Sequence, residues 1–260
     1  MREKTLVLEE EFWSQAGKRY TVQFWAGEVA EVHLLDYPTN ALETLARATR
    51  GYLGNYTMEP FKEGELELLA REIQKTPLAT PIEMLNFVFL VRDVPRSFTH
   101  QLVRTRIGAS YVQQSTRFIG ALENYKVLVP ESCLVAGKVD EDYHTGIVYS
   151  IQAYANAVEK NGIKSEDARQ LFPHALLTHV FWSINLKALR LVYNQRWCCC
   201  AEPSTWLPVM RQVKRAITEM CGPVIGGMLT APIDRGESCG FNSKVLDQPC
   251  KWRNVKEEDR

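Results

Sequence analysis

The spacing of apolar residues divides the 260-residue chain into stretches that favour strands and stretches that favour helices. Residues 20–35 partly alternate between polar and apolar side chains around Gly27, which predicts a strand or a hairpin. Residues 84–91 form a short apolar run rich in β-forming side chains, which is typical of a buried strand. These two segments are the strands that the pattern predicts.

Helical spacing of apolar residues predicts helices over most of the remaining chain. They cover residues 41–53 with Asn40 as the N-cap, 63–75, 95–106 with Pro95 in the first turn, 142–160, a start at 165, 174–197 and 203–220. Beyond Gly222 the chain is rich in glycine, proline, cysteine and charge. We therefore expect a single domain over residues 1–222, followed by a tail or arm over 223–260.

The balance of charge limits the partners that the protein can bind. Basic and acidic side chains number 31 each, so no net field attracts a nucleic-acid polymer or an anionic membrane. No apolar run reaches the roughly 18 residues needed to cross a bilayer, and the first residues lead into no signal-like segment. We expect a soluble, cytoplasmic protein that acts on small molecules.

The seven cysteines indicate reduced thiols, because an odd number in the cytoplasm does not favour a disulfide framework. One hypothesis is a zinc site built from Cys198, Cys199, Cys200, Cys221 and Cys239. Consecutive cysteines do not easily ligate one ion together, and the spacing matches no known zinc ribbon. We therefore interpret these cysteines as small buried hydrophobic residues and predict no metal site.

Residues 101–118 have the composition of an anion-binding segment. This run contains three arginines, three glutamines and two serines. The guanidinium group of arginine binds two phosphate oxygens at once, and serine and threonine hydroxyls add further donors. The segment therefore predicts a phosphorylated ligand.

The order of these residues resembles the signature of the flavin-dependent thymidylate synthases, the ThyX family. In this chain Gln101, Arg104 and Arg106 are followed after eight residues by Ser115 and Arg117. The family signature is Arg-His-Arg, then seven or eight residues, then serine. The sequence is thus similar to that family in its most specific motif.

The resemblance extends over residues 46 to about 200, with two departures inside the signature. Weaker similarities occur in the family's order at residues 46–49, 80–89, 167–173, 178–189 and 196–199. Thr105 stands where the family has its central histidine, and Val112-Gln113 stands where it usually has asparagine and glutamate. This pattern indicates a diverged member of the family.

The resemblance implies an α/β (α+β) fold, in which helices flank a twisted and largely antiparallel sheet. It also implies that residues 1–222 form the catalytic domain and that four identical subunits share their active sites. The expected ligands are FAD and dUMP or a related pyrimidine nucleotide, with NADPH and methylenetetrahydrofolate as co-substrates.

Matching positions to the family motif gives two sets of expected site residues. The residues expected against FAD are Thr49, Thr80, Arg104, Arg106, Ile107, Asn185 and Lys187. The residues expected against dUMP are Gln101, Gln113, Ser115, Thr116, Arg117, Arg169 and Arg196. Within the second set, Arg117 and Arg169 would clamp the phosphate and Arg196 would polarise a uracil carbonyl. Arg196, Gln113 and Ser115 are the expected catalytic residues.

The implied reaction is the reductive methylation of dUMP to dTMP, in which the cofactors supply the chemistry and the protein positions them. The departures at Thr105 and Gln113 leave two alternatives open. One is a flavin- and folate-dependent enzyme that modifies another pyrimidine nucleotide or installs a different group at carbon 5. The other is a homologue that binds nucleotide without turning it over.

Overall fold

The computed structural model describes residues 3–76, 78–119, 123–237, 250–252 and 255. The strands are β1 Thr5–Trp13, β2 Arg19–Ala26, β3 Glu31–Asp36, β4 Asn86–Pro95, β5 Ala109–Gln113, β6 Asn124–Leu128, β7 Leu134–Val135, β8 Lys138–Val139 and β9 Leu177–Asn185. The helices are α1 Ala41–Tyr52, α2 Glu65–Lys75, α3 Arg96–Leu102, α4 Thr116–Ile119, α5 Glu141–Glu159, α6 Ser165–Ala168, α7 Leu186–Arg196, α8 Trp206–Cys221 and α9 Pro223–Gly226. Short 3-10 turns cover Thr80–Met84, Glu131–Cys133, Arg169–Leu171 and Pro232–Arg235.

The strands pair in three sheets, with the orders β1-β2-β6, β3-β4-β9-β5 and β7-β8. The pairs β1–β2 and β7–β8 are antiparallel, and β2–β6 is parallel. The mixture of helices with antiparallel strand pairs confirms the α/β class expected from the sequence. No helix among the described residues is long and apolar enough to cross a membrane.

The chain divides into two compact units, each assembled from several stretches. The first unit contains Met1–Glu31, Val91–Arg104 and Val112–Val180. The second contains Val32–Leu90, Thr105–Tyr111 and Phe181–Arg260. Strands β4 and β9 are therefore each divided between the two units, with one end of the strand assigned to each.

The core of the first unit lies between the β1-β2-β6 sheet and α5. Every second residue of β2 is buried, including Tyr20, Val22 and Phe24, as expected for a strand with one face against a core. On α5, Ile147 and Ile151 lie one helical turn apart and pack in the same cluster. These alternating and helical spacings give the unit its apolar interior.

The core of the second unit contains α1 and α8. Val209, Val213 and Ile217 repeat every four residues along α8 and are fully buried. The Arg50 guanidinium donates to Glu65 at 2.7 Å, which links α1 to α2. Helix α1 ends one residue before its predicted end, and α8 begins three residues after its predicted start and ends one residue beyond its predicted end. The amphipathic pattern of the sequence was therefore sufficient to predict these two helices.

The predicted helix over residues 174–197 is wrong in its first half. Leu177–Asn185 is strand β9, and only Leu186–Arg196 is helical. Thr178, Val180 and Ile184 are buried at alternate positions, which is the period of a strand. Asn185 ends the strand and caps α7, because its Oδ1 accepts a hydrogen bond from the Ala188 N–H at 2.9 Å.

The helix predicted over residues 95–106 also needs correction, and so do two details elsewhere. Pro95 ends β4 instead of starting the helix, and α3 stops at Leu102, so Arg104 and Arg106 lie in the following loop. Asn40 does occupy the N-cap of α1, but its side chain makes no capping hydrogen bond within the described residues. Residues 20–35 contain β2 and β3, which belong to different sheets and do not form a hairpin.

The described residues after Gly222 belong to the second unit, and part of their length is buried within it. Helix α9 follows α8 directly, and Ile225, Met228 and Leu229 are buried. A 3-10 turn then covers Pro232–Arg235. The expected tail over 223–260 therefore includes ordered apolar contacts in its first part.

Candidate functional site

Arg96 lies at the junction of β4 and α3 in the first unit. Its backbone N–H donates to the Leu176 carbonyl at 3.1 Å, and the next N–H, of Ser97, donates to the His174 carbonyl at 3.1 Å. These bonds fix the start of α3 to the segment before β9. The Arg96 side chain is half-buried, and its Nη1 donates a long hydrogen bond of 3.4 Å to the Gln114 carbonyl.

Arg96 and Arg169 form a pair of like charges without an acidic partner. Burial lowers the pKa of the Arg96 guanidinium, and the nearby charge of Arg169 lowers it further. Within the described part of the chain, no carboxylate forms an ion pair with either side chain. Like charges repel each other, and an anion bound beside both guanidinium groups would relieve that repulsion. The pair therefore has the character of a phosphate site.

The turn Ser115–Arg117 supplies further donors in the same unit. The Arg117 N–H donates to Ser115 Oγ at 3.3 Å, and the Phe118 N–H donates to the Ser115 carbonyl at 3.1 Å. The Arg117 Nη2 lies 3.1 Å from Glu166 Oε2, and both side chains are exposed. Exposed ion pairs are weak, so a phosphate group can replace Glu166 at little cost.

Gln113 is fixed by a hydrogen bond that a glutamate could not make. Its Nε2 donates to Thr99 Oγ1 at 2.7 Å, and Thr99 is fully buried. The Thr99 hydroxyl already donates its proton to the Arg96 carbonyl at 3.0 Å, so Oγ1 can only accept from position 113. An ionised glutamate would place two acceptors face to face. The structure thus gives a local reason for the departure from the family's glutamate.

Two histidines flank the arginine pair, although the sequence left them unassigned. The His100 and His174 rings are edge to face with their centroids 5.1 Å apart. Burial lowers the pKa of His100, and His174 and Arg96 lower it further. His100 is therefore neutral at pH 7 and adds no charge to the site.

The remaining residues expected around dUMP are distributed unevenly. Gln101 is half-buried on α3, and Thr116 is buried at the start of α4. Arg104, which was expected to contact FAD, is exposed beyond the end of α3 in the same unit. Arg196 belongs to the second unit, at the end of α7. Its guanidinium carbon lies 4.5 Å from the centroid of the Trp206 ring, and the side chain lines a cavity of about 430 Å³.

In the second unit, the loop of Arg106 and Ile107 approaches the start of α7. The Asn185 N–H donates to the Gly108 carbonyl at 2.8 Å. Gly108 has φ of +71°, and a Cβ atom there would lie 2.5 Å from Asn185 Nδ2. Asn185 Oδ1 is occupied by the helix cap, whereas its Nδ2 makes no hydrogen bond to a described residue. This amide group is therefore a donor held in place beside an arginine loop.

The other residues expected around FAD are less available in this chain. The Thr49 hydroxyl donates to the Leu45 carbonyl at 2.8 Å inside α1, and its side chain is buried. Thr80 is exposed at the start of a 3-10 turn. The Lys187 Nζ lies 2.5 Å from Glu83 Oε1, so a ligand phosphate would compete with that carboxylate.

The structure divides the expected residues between the units nearly by ligand. All the residues expected around dUMP except Arg196 lie in the first unit, and all those expected around FAD except Arg104 lie in the second. Arg96 was not among the residues expected from the sequence, because the motif that carries the resemblance begins at Gln101. Its position directly after a buried strand was the signal available in the sequence.

Comparison with known proteins gives a consistent set of relatives. Residues 33–221 match the family model described as thymidylate synthase complementing protein. A flavin-dependent thymidylate synthase from Pyrococcus furiosus is 31% identical over 178 residues, which cover 65% of this chain and 72% of that protein. The enzyme of the same name from Thermococcus onnurineus is 28% identical over 219 residues, which cover 81% of this chain and 84% of that protein.

Solved structures share the fold at lower identity. The ThyX of Helicobacter pylori, crystallised with FAD and dUMP, has a TM-score of 0.61 and 20% identity, covering 77% of this chain and 99% of its own. The UMP/dUMP methylase PolB of Streptomyces cacaoi, bound with 5-Br dUMP, has a TM-score of 0.62 and 19% identity, covering 78% of this chain and 95% of its own.

Proposed function

This chain belongs to the thymidylate synthase complementing protein family, and we propose that it is a flavin-dependent thymidylate synthase that reductively methylates dUMP to dTMP. In this proposal methylenetetrahydrofolate supplies the one-carbon unit and NADPH the reducing equivalents. The observation that carries the proposal is the position of Arg96, which donates to the Gln114 carbonyl at 3.4 Å beside the Ser115–Arg117 turn and pairs with no carboxylate among the described residues.

The phosphate of dUMP binds, in this proposal, to Arg96 and Arg169. Each guanidinium group donates charge-assisted hydrogen bonds to phosphate oxygens, which also relieves the repulsion between the two cations. The Ser115 hydroxyl, whose proton is not donated to any described residue, adds a neutral donor. Arg117 joins the cradle when it exchanges Glu166 for the phosphate.

The uracil ring is positioned by glutamine amides and polarised by an arginine. Gln113 keeps its amide carbonyl available because Thr99 accepts from its Nε2. Gln101 supplies a second amide from α3. Arg196 is assigned to a uracil carbonyl, where a positive charge stabilises the negative charge that develops on oxygen during attack at the ring.

The donors of the second unit fit an anionic dinucleotide. Arg106 and Lys187 bring positive charge, Asn185 Nδ2 is a fixed donor, and Gly108 permits a close approach of the backbone. We assign these residues to FAD, with Thr49, Thr80, Arg104 and Ile107 as further contacts. When it is bound, the flavin supplies the hydride that completes the methyl group. The protein binds and orients the reactants.

The proposal includes a homotetramer with shared active sites. Ile107, Val112 and Phe118 are 91%, 69% and 77% exposed, although all are large and apolar. These exposed apolar side chains all lie in the segment 101–118, and such a concentration is typical of an interface between copies of the chain. Light scattering coupled to gel filtration measures the mass of the particle, and a monomer at micromolar concentration would contradict this part of the proposal.

The decisive assay is tritium release from carbon 5 of labelled dUMP, with FAD, methylenetetrahydrofolate and NADPH omitted in turn. Release that requires all three is expected. Arg169→Ala removes charge-assisted bonds worth about 1.5–3 kcal/mol, so the Kd for dUMP should rise by roughly 10- to 150-fold. The exposed Arg19, 3.7 Å from Glu11, provides the control variant Arg19→Ala with unchanged affinity.

Arg96→Gln separates ligand binding from a structural role. Glutamine keeps a donor for the Gln114 carbonyl and removes the repulsion with Arg169, so the urea midpoint should not fall while dUMP affinity does. Unchanged dUMP affinity in both arginine variants would exclude the phosphate site. Binding of dUMP and FAD without tritium release would instead support the non-catalytic homologue.

A second candidate function is modification of another pyrimidine nucleotide. The observation that favours it is the Gln113 amide, which replaces a carboxylate near the expected base and is fixed by Thr99. Mass spectrometry of the products from dUMP and UMP tests this alternative. A product formed only from dUMP and identical to dTMP would exclude it.

A further inference from the structure

Three consecutive thiols converge at the end of α7. After Arg196 the chain turns, and the Ala201 N–H donates to the Cys198 carbonyl at 2.9 Å. In an extended chain neighbouring side chains point in opposite directions, but a turn brings them to one side. The sulfur atoms of Cys198, Cys199 and Cys200 accordingly all lie within 4.8 Å of one another.

A fourth thiol, from residues 250–252, lies beside the middle cysteine of this cluster. The Cys250 sulfur lies 3.7 Å from that of Cys199, and the Cys199 and Cys200 sulfurs are 3.9 Å apart. The Trp252 ring packs on Trp197 with their centroids 5.4 Å apart. The tryptophan contact brings Cys250 to the end of α7 independently of the thiols.

The two separations that involve the Cys199 sulfur match those between the ligands of a tetrahedral ion. Zinc binds thiolates at about 2.3 Å, so two sulfurs of one tetrahedral site are roughly 3.8 Å apart. A disulfide would require about 2.05 Å, and the described cysteines are in no disulfide. The separations of 3.7 and 3.9 Å are close to the tetrahedral value.

The burial of these cysteines argues against the interpretation as small hydrophobic residues. Cys200 is exposed, and Cys198, Cys199 and Cys250 are half-buried. A cysteine that fills a core is normally fully buried. Of the two other candidates from the sequence, Cys221 is not part of the cluster, and Cys239 lies outside the described residues.

We propose that Cys198, Cys199, Cys200 and Cys250 bind one Zn²⁺ ion as thiolates. The ion ties residues 250–252 to the end of α7, beside the cavity lined by Arg196 and Trp197. Binding releases the thiol protons to solvent and involves no change of oxidation state. Four protein ligands leave no open position, so the site is structural.

Metal analysis of the full chain, purified with a reductant, is the first test. We expect about one zinc per chain, and cobalt substitution should give the visible and near-ultraviolet bands of tetrahedral thiolate coordination. Chelation should lower the melting temperature, and adding zinc should restore it. Absence of zinc together with absence of cobalt bands after anaerobic loading would overturn the proposal.

Variants locate the site within the chain. Mutation of a residue that only hydrogen-bonds to a metal ligand typically weakens metal binding by roughly 10- to 100-fold. Loss of a direct ligand should weaken zinc binding by more than this, so Cys250→Ser should lose its metal. Cys200→Ser is the second variant, because its exposed side chain is the least needed for folding. Cys133→Ser, in the first unit, is the control that keeps its metal. Full zinc content in both test variants would refute the assignment.

Discussion

Replacing Gly108 with alanine tests the close approach between its loop and the start of α7. At φ of +71° an alanine costs about 1–2 kcal/mol, because its Cβ crowds the backbone in the left-handed region. The new Cβ would also lie 2.5 Å from Nδ2 and 2.9 Å from Oδ1 of Asn185, so that side chain must move. Moving it breaks the cap on the Ala188 N–H, which stabilises the helix by about 1 kcal/mol. The expected loss is therefore about 2–3 kcal/mol.

Gly54→Ala is the matched control in the same unit. Gly54 has φ of +89°, but a Cβ there meets nothing within 4 Å, so only the backbone cost of about 1–2 kcal/mol applies. Urea unfolding followed by circular dichroism gives both free energies. In an Asn185→Ala background the extra cost of Gly108→Ala should disappear. Equal losses for Gly108→Ala and Gly54→Ala would refute the reasoning.

Three further predictions concern other parts of the chain. Burial lowers the pKa of His179, whose Nδ1 accepts from the Asp93 N–H at 3.3 Å. The unfolded chain thus gains a proton near pH 6.5 that the folded chain does not, so stability falls as pH drops below that value. The urea midpoint of His179→Gln should therefore decline less between about pH 7.5 and 5 than that of the unsubstituted protein. An equal decline in both proteins would contradict this prediction. Lys187→Met should change stability by less than about 1 kcal/mol, since its ion pair with Glu83 is half-exposed, but should weaken FAD binding in a fluorescence titration. Ile151→Ala should cost about 2–5 kcal/mol by calorimetry, because Ile151 is fully buried in the first core, and a loss below about 1 kcal/mol would contradict that packing.

The sequence predicts best the elements whose periodicity is local. Helix α5 was expected over residues 142–160 and spans Glu141–Glu159, because its apolar residues recur on one face and Asp140 caps it. Strand β9 was read as helix because no glycine or proline separates it from α7. The apolar residues of both elements merge into one run, and the alternation at Thr178, Val180 and Ile184 is lost within it.

Other elements depend on partners far along the chain. Strand β1 contains three consecutive glutamates and is mostly exposed, so its own sequence lacks the alternating pattern that would predict a strand. Its strand conformation depends on the pairing with β2. The same limit applies to the site. The motif identifies Ser115 and Arg117, but the proximity of Arg96 to Arg169 and of Cys250 to Cys199 arises only from folding.

The parallel pairing of β2 with β6 has a consequence for synthesis of the chain. Residues Thr21–Trp25 pair with Asn124–Leu128, so the partner strand leaves the ribosome about 100 residues after β2. At about 5–20 residues per second, the β1–β2 hairpin waits roughly 5–20 s with one edge of β2 uncovered. An uncovered edge is a template for pairing with other nascent chains. Slowing translation between these strands should therefore lower the yield of native protein more than slowing it after Leu128.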